Sequence, residues 1–238
     1  MAGRFFYHAF GVALTGRITR PFCDVIESQA ATALGTIGGY GSSQVDDYRF
    51  RHIVSFRSAR TFVVGSKADD GSLNTSVTVT VEGLNILNVI RADVITARLA
   101  SRHAVDSLQP MITAVGTEFR GLTIGGNPVP ATIDRGLFGQ ELTYADFKKN
   151  AGANARREPW AESKDKDAVL CSVVQAQASS LPQAPNSIQV ASVGTVFLGE
   201  LLVSPYARRL TMMRVVLGSP DAGCLEVGSG EVNGSTYP

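Results

Sequence analysis

The stretch SVTVTVEGLNI, residues 76–86, alternates apolar and polar side chains. In an extended chain Val77, Val79 and Val81 fall on one side, and Ser76, Thr78, Thr80 and Glu82 on the other. That is the pattern of an antiparallel strand with one dry and one wet face. The turn-rich KADDGSLN (67–74) just before it supplies Asp-Gly, the pair a tight hairpin turn favours.

Working outward, NILNVIRADVITARLAS (85–101) can be read two ways. Leu87, Ile90, Arg91, Val94, Ile95 and Arg98 also fit a helical stripe, but the β-branched Val89, Ile90, Val94, Ile95 and Thr96 favour a strand. FRGLTIGGNPVPATID (119–134) predicts a strand, a Gly-Gly-Asn turn and an edge strand, because Pro128 and Pro130 cannot donate to a central ladder. MAGRFFYHAFGVALTG (1–16) reads as a first strand, and AVLCSVVQAQ (168–177) and SIQVASVGTVFLGELLVSP (187–205) as further strands. ARRLTMMRVVLGSP (207–220) also fits a helix, with Arg214 amid Leu210, Met213 and Leu217 and Gly218-Ser219-Pro220 as its stop, but is better read as the second arm of a hairpin through SPYA; both strand faces are mainly apolar, so Arg214 needs an ion-pair or subunit partner.

One short helix is expected in LTYADFKKN (142–150), where Thr143 can cap, with Asp146 three residues on. Four of the five lysines lie between Lys148 and Lys166, so about 148–168 should be a long charged surface loop carrying the only tryptophan, Trp160. The fold expected is all-β: one domain over 1–238, an antiparallel β-sandwich or barrel-like body.

The composition excludes more than it assigns. A net charge of +1 disfavours nucleic acid as a partner, and no apolar run is long enough to span a bilayer. The 22 cations divide into 17 Arg and 5 Lys, a skew that suits bidentate pairing and interfaces and that genome composition also produces. Cys23, Cys171 and Cys224 are far apart and form neither a zinc signature nor a disulfide framework. Three unpaired cysteines and the lack of a clear signal peptide favour the cytoplasm, with the cell surface or secretion as the alternative.

No catalytic motif emerges. His8, His52 and His103 stand alone, and there is no G-x-S-x-G elbow or P-loop. No catalytic residue, metal or cofactor is therefore expected. Asp69 and Asp70 in the DDG turn are a weak calcium candidate. YRFRHIVSFRSAR (48–60), read as a single strand, places Tyr48, Phe50, His52 and Val54 on one side and Arg49 and Arg51 on the other. Tyr48, Arg49, Arg51 and Trp160 are the candidate binding residues, and Arg208, Arg209 and Arg214 the candidate subunit contacts.

VEGLNILNVIRADVITARLASRH followed by FRGLTIGGNPV is similar to a pattern in bacterial proteins of the choice-of-anchor kind. The matching positions are Gly83, Leu84, Ile86, Leu87, Ala92 and Asp93, then Gly121, Leu122, Ile124, Gly125 and Gly126. The likeness spans roughly residues 76–134 and implies an all-β fold. For function, the expectation is a non-enzymatic structural or self-associating protein that partners with copies of itself. A carbohydrate or surface-ligand module and a hydrolase with a dispersed site are the alternatives.

Overall fold

The computed structural model describes residues 4–104, 110–133, 144, 156–159, 167–172, 174–177, 181, 183–184, 187–204, 208–218 and 222–237. Almost everything described is strand. In chain order these are β1 (Arg4–Ile18), β2 (Asp24–Gln29), β3 (Thr32–Ala33), β4 (Gly39–Phe50), β5 (Val54–Lys67), β6 (Leu73–Ile86), β7 (Ile90–His103), β8 (Met111–Thr113), β9 (Glu118–Arg120) and β10 (Thr123–Ile124). There follow β11 (Asn127–Pro128), β12 (Ala131–Ile133), β13 (Arg156–Pro159), β14 (Asp167–Ser172), β15 (Val174–Ala176), β16 (Gln183–Ala184), β17 (Ser187–Val190), β18 (Gly194–Val203), β19 (Arg208–Leu217) and β20 (Gly223–Tyr237).

They build two packed antiparallel sheets. Sheet A runs β13-β14-β18-β19-β20-β1-β2, and sheet B runs β11-β10-β7-β6-β5-β4; β12 and β15 form a separate pair. β20 pairs with β1 from Arg4↔Tyr237 to Ile18↔Gly223, so the two ends of the described chain lie side by side. The stretch 76–86 forms part of β6 as its alternation requires, with Val77, Val79 and Val81 buried against sheet A. The strand preference of 85–101 holds as well. Leu87 and Asn88 make a turn, and β7 begins at Ile90. Ile124↔Asn127 closes the expected hairpin around Gly125 and Gly126, both at positive φ, and β11 with Pro128 is the sheet edge.

Glycines set how closely the sheets approach. A Cβ on Gly11 of β1 would meet Thr61, Val77 and Val79, and one on Gly230 of β20 would lie 2.9 Å from Val77 Cγ1. β1 and β20 therefore rest their backbones on valine methyls of the opposite sheet.

Both sheets are creased across their strands. In sheet B the paired registers are interrupted along a line of Asp47, Arg57, Gly83, Asp93 and Gly121, with Gly83 beside Arg57 and Gly121 beside Asp93. Every second member is left-handed: Asp47 at φ 53°, Gly83 at 65°, Gly121 at 62°. In sheet A the interruption falls at Gly199 (φ 62°), Met212, Gly228 (φ 65°) and Ala13, positions the paired registers skip, with Gly228 beside Met212. A left-handed residue leaves the pleat, so the inward face changes parity there. β6 buries Val77, Val79 and Val81 before its crease and Leu84 and Ile86 after it; β5 buries Val54 and Phe56, then Ala59, Thr61 and Val63.

The same break explains why both faces of 207–220 read as apolar. β19 turns Leu210 and Met212 inward, then Met213, Val215 and Leu217. The single-parity faces expected from the sequence are thus corrected at Met212.

Three other expectations change. Residues 48–60 are not one strand but the β4–β5 hairpin, turning at Arg51–Ile53, with Arg51 at φ 50° and His52 exposed in the turn. Within the expected surface loop, Arg156–Pro159 is a strand paired to β14. The expected helix lies outside the described residues except Tyr144, which is helical.

Candidate functional site

Three hairpin turns meet at one end of sheet B, and hydrogen bonds tie each to the next. Leu87 N donates to Ile53 O (2.8 Å), and Gly125 N donates to Val89 O (2.9 Å). Inside the middle turn Asn88 N donates to Asn85 Oδ1 (3.0 Å), and Asn85 Nδ2 donates to Asn88 Oδ1 (2.8 Å). Arg51, Leu87 and Asn88 hold φ of 50°, 52° and 59°. Asn tolerates this region, whereas a bulky residue such as Leu pays strain that its surroundings must sustain.

The first two of these turns wall a cleft lined by Arg49, Arg51, His52, Val54, Ser55, Asn85, Leu87 and Asn88, none of them acidic. Its volume is about 80 Å³. One register line on the outer face of the sheet enters it as Arg49↔Ser55↔Asn85 and continues past its lining to Arg91 and Thr123, hydrogen-bond donors throughout. Arg51 is already engaged. Its guanidinium lies 4.1 Å from the centre of the Phe22 ring and bonds Asp24 at 3.1 Å, clasping sheet A to this end of sheet B. Among the described residues Arg49 has no carboxylate partner.

The other candidates scatter. Tyr48 stacks on Phe56, ring centres 5.1 Å apart, while burial raises its phenol pKa; it packs half-buried against the core, and is not a platform beside Arg49. Trp160 lies outside the described residues. Asp70 Oδ1 accepts from Ser72 N (2.9 Å) and Oδ2 from Arg102 Nη2 (2.6 Å). Hydrogen bonds from Ser72, then Arg102, lower its pKa to about 2. Among the described residues no cluster of His, Cys, Asp and Glu is placed to hold a metal.

Arg208, expected at a subunit contact, is 2% exposed and donates to Ser204 O inside the fold; burial lowers its pKa to about 10. Arg214 has the ion-pair partner it required. Nε and Nη2 reach Glu200 Oε2 and Oε1 at 2.6 and 2.7 Å, and the guanidinium covers Phe197 at 3.9 Å. Arg209 bonds Glu226 at 2.5 Å. Both bridges cross the crease of sheet A on its outer face. Between them lie Val12, Thr211 and Ser229, outward by register yet only 4, 7 and 5% exposed, with the two hydroxyls 3.0 Å apart.

Sequence reasoning missed His52, Ser55, Asn85 and Asn88 as cleft residues. The one available signal was Asn88, a residue suited to positive φ between two strands.

The far end of sheet B differs. β4 is its last strand, and among the described residues no strand pairs with its outer edge. Ile37 and Tyr40 beside that edge are each 80% exposed, and Phe62 on the neighbouring strand is also exposed.

No helix among the described residues is long and apolar enough to cross a membrane. No curated protein and no solved structure matches the chain. A family model described as a domain of unknown function (DUF8256) matches residues 5–158. The match takes in every strand of sheet B and ends at Glu158 inside β13, leaving β14–β20 beyond it. With well over half of its length matched, the chain belongs to the DUF8256 family.

Proposed function

We propose that the protein is a non-enzymatic structural subunit that associates with copies of itself through the outer edge of β4. The observation that carries this is the open edge of Gly39–Val45 flanked by Ile37 and Tyr40. A long edge strand beside apolar side chains is a template for another strand unless something blocks it. β4 is blocked at one end only, where Asp46 and Asp47 bring charge and a left-handed kink. Antiparallel pairing of two such edges about a two-fold axis would satisfy their backbone groups and cover both tyrosines.

Sedimentation velocity on the wild type and on Ile37→Lys/Tyr40→Lys tests it. The wild type should sediment as a dimer or larger, and the double variant as a monomer with unchanged circular dichroism. A wild type that stays monomeric at the highest attainable concentration overturns the proposal.

A further inference from the structure

We infer that the cleft between the β4–β5 and β6–β7 turns, at the opposite end of sheet B, is a binding site for a small oxyanion, phosphate-like or carboxylate. Chemistry comes first. The polar groups facing the cleft are Arg49, Arg51, His52, Ser55, Asn85 and Asn88, which offer guanidinium, imidazole, hydroxyl and amide but no carboxylate. Arg51 is neutralised by Asp24, so the uncompensated charge is that of Arg49. It stands beside Ser55 and, one strand further, Asn85. The Asn85–Asn88 pair uses one amide hydrogen of Asn85, leaving the other to donate.

Size decides the ligand class. A cavity of about 80 Å³ has room for a handful of waters at roughly 10–15 Å³ each, which suits one tetrahedral ion or one carboxylate group. Charge-assisted hydrogen bonds from a guanidinium to such an ion are the strong kind, and a fixed array loses little order on binding.

Rigidity is the third support. The turns are cross-linked through Leu87 and Gly125, and the positive φ of Arg51, Leu87 and Asn88 is kept although none of them is glycine. Strain of this sort concentrates at ligand sites, where the geometry must be set before the ligand arrives.

The test is an amide NMR titration of the full chain with sodium phosphate, and separately with sodium acetate, each against sodium chloride at equal ionic strength. Saturable shifts should cluster at Arg49, Ser55, Asn85 and Asn88. Whichever anion saturates at lower concentration identifies the tetrahedral or the carboxylate ligand. Arg49→Gln should weaken binding about tenfold and Ser55→Ala by less, while Arg60→Gln, an exposed arginine beyond the crease, leaves it unchanged. Overturning results are shifts that chloride reproduces, or equal losses in Arg49→Gln and Arg60→Gln.

Discussion

Gly83 of β6 and Gly228 of β20 hold the same backbone angle, φ 65°, and each marks the level where its sheet exchanges inner for outer face. The match is functional for the fold. A sandwich whose strands change parity needs both walls to do so, or one wall would offer polar side chains to the apolar face of the other. Gly228 lies close to Ile95, two residues beyond the crease residue Asp93 of sheet B, so the two lines face each other across the core.

Substitution at the crease should follow backbone conformation more than size. A left-handed L-residue costs about 1–2 kcal/mol, and a Cβ at Gly83 would also press on Arg57 at 3.0 Å. Gly83→Val and Gly228→Val should each lose about 2 kcal/mol or more, and Gly83→Asn roughly half as much, because Asn tolerates this region. Asp47 already bears the penalty at φ 53°, so Asp47→Gly should gain up to about 1 kcal/mol. Urea midpoints at constant slope would check all four.

Glu200 and Arg214 should behave as a unit. Their side chains are only 12% and 25% exposed and meet through two short hydrogen bonds. Glu200→Ala leaves a half-buried guanidinium over Phe197 and should cost about 1–3 kcal/mol. Replacing both, Glu200→Leu with Arg214→Met, should come close to wild type, because an apolar pair of similar volume avoids desolvation. A double-mutant cycle whose coupling energy is near zero would contradict this.

Two groups set a pH window. Hydrogen bonds from Ser72, then Arg102, hold Asp70 at about 2, below its unfolded value near 4. Its contribution is complete above about pH 4 and disappears as the pH falls toward 2. His8 is shifted the other way, raised by its hydrogen bond to Glu231 at 3.3 Å, so its contribution is complete below about 6.5 and is lost as the pH climbs through the folded value. Melting temperatures should be highest between about pH 4 and 6.5 from these two groups. Asp70→Asn should flatten the acid limb and His8→Asn the alkaline limb.

The span matched by the family model should not fold as an isolated piece of this chain. Residues 5–158 keep sheet B but lose β14–β20, hence the partner of β1 and the wall that Val77 and Ile95 pack against. Expressed alone, the fragment should show weak amide dispersion and bind an apolar dye, whereas the full chain should not.

Much of the fold was legible because alternation is a local signal. Val77, Val79 and Val81, the Gly125-Gly126 hairpin and the edge proline each needed only a few residues to read. The crease was not, because parity reversal makes the two halves of a strand cancel; in RRLTMMRVVL it left two faces that looked equally apolar. Arg214 showed its need for a partner but not its identity, since Glu200 sits on a different strand. The cleft was harder still. Arg51-His52-Ile53 turns without glycine, proline, Asn or Asp, so composition did not mark it, and its walls come from hairpins more than thirty residues apart.

The bare backbones of Gly11 and Gly230 against Val77 make the thickness of the sandwich a property of missing atoms. Tolerance at this contact should therefore be lopsided. Shaving Val77 to Ala opens a gap that neighbouring methyls can partly fill, but adding a single methyl at Gly11 acts as a wedge between two walls that are each continuous sheets, and the strain spreads along whole strands. Variation in this family should be sparse at Gly11 and Val77, which lie within the matched span.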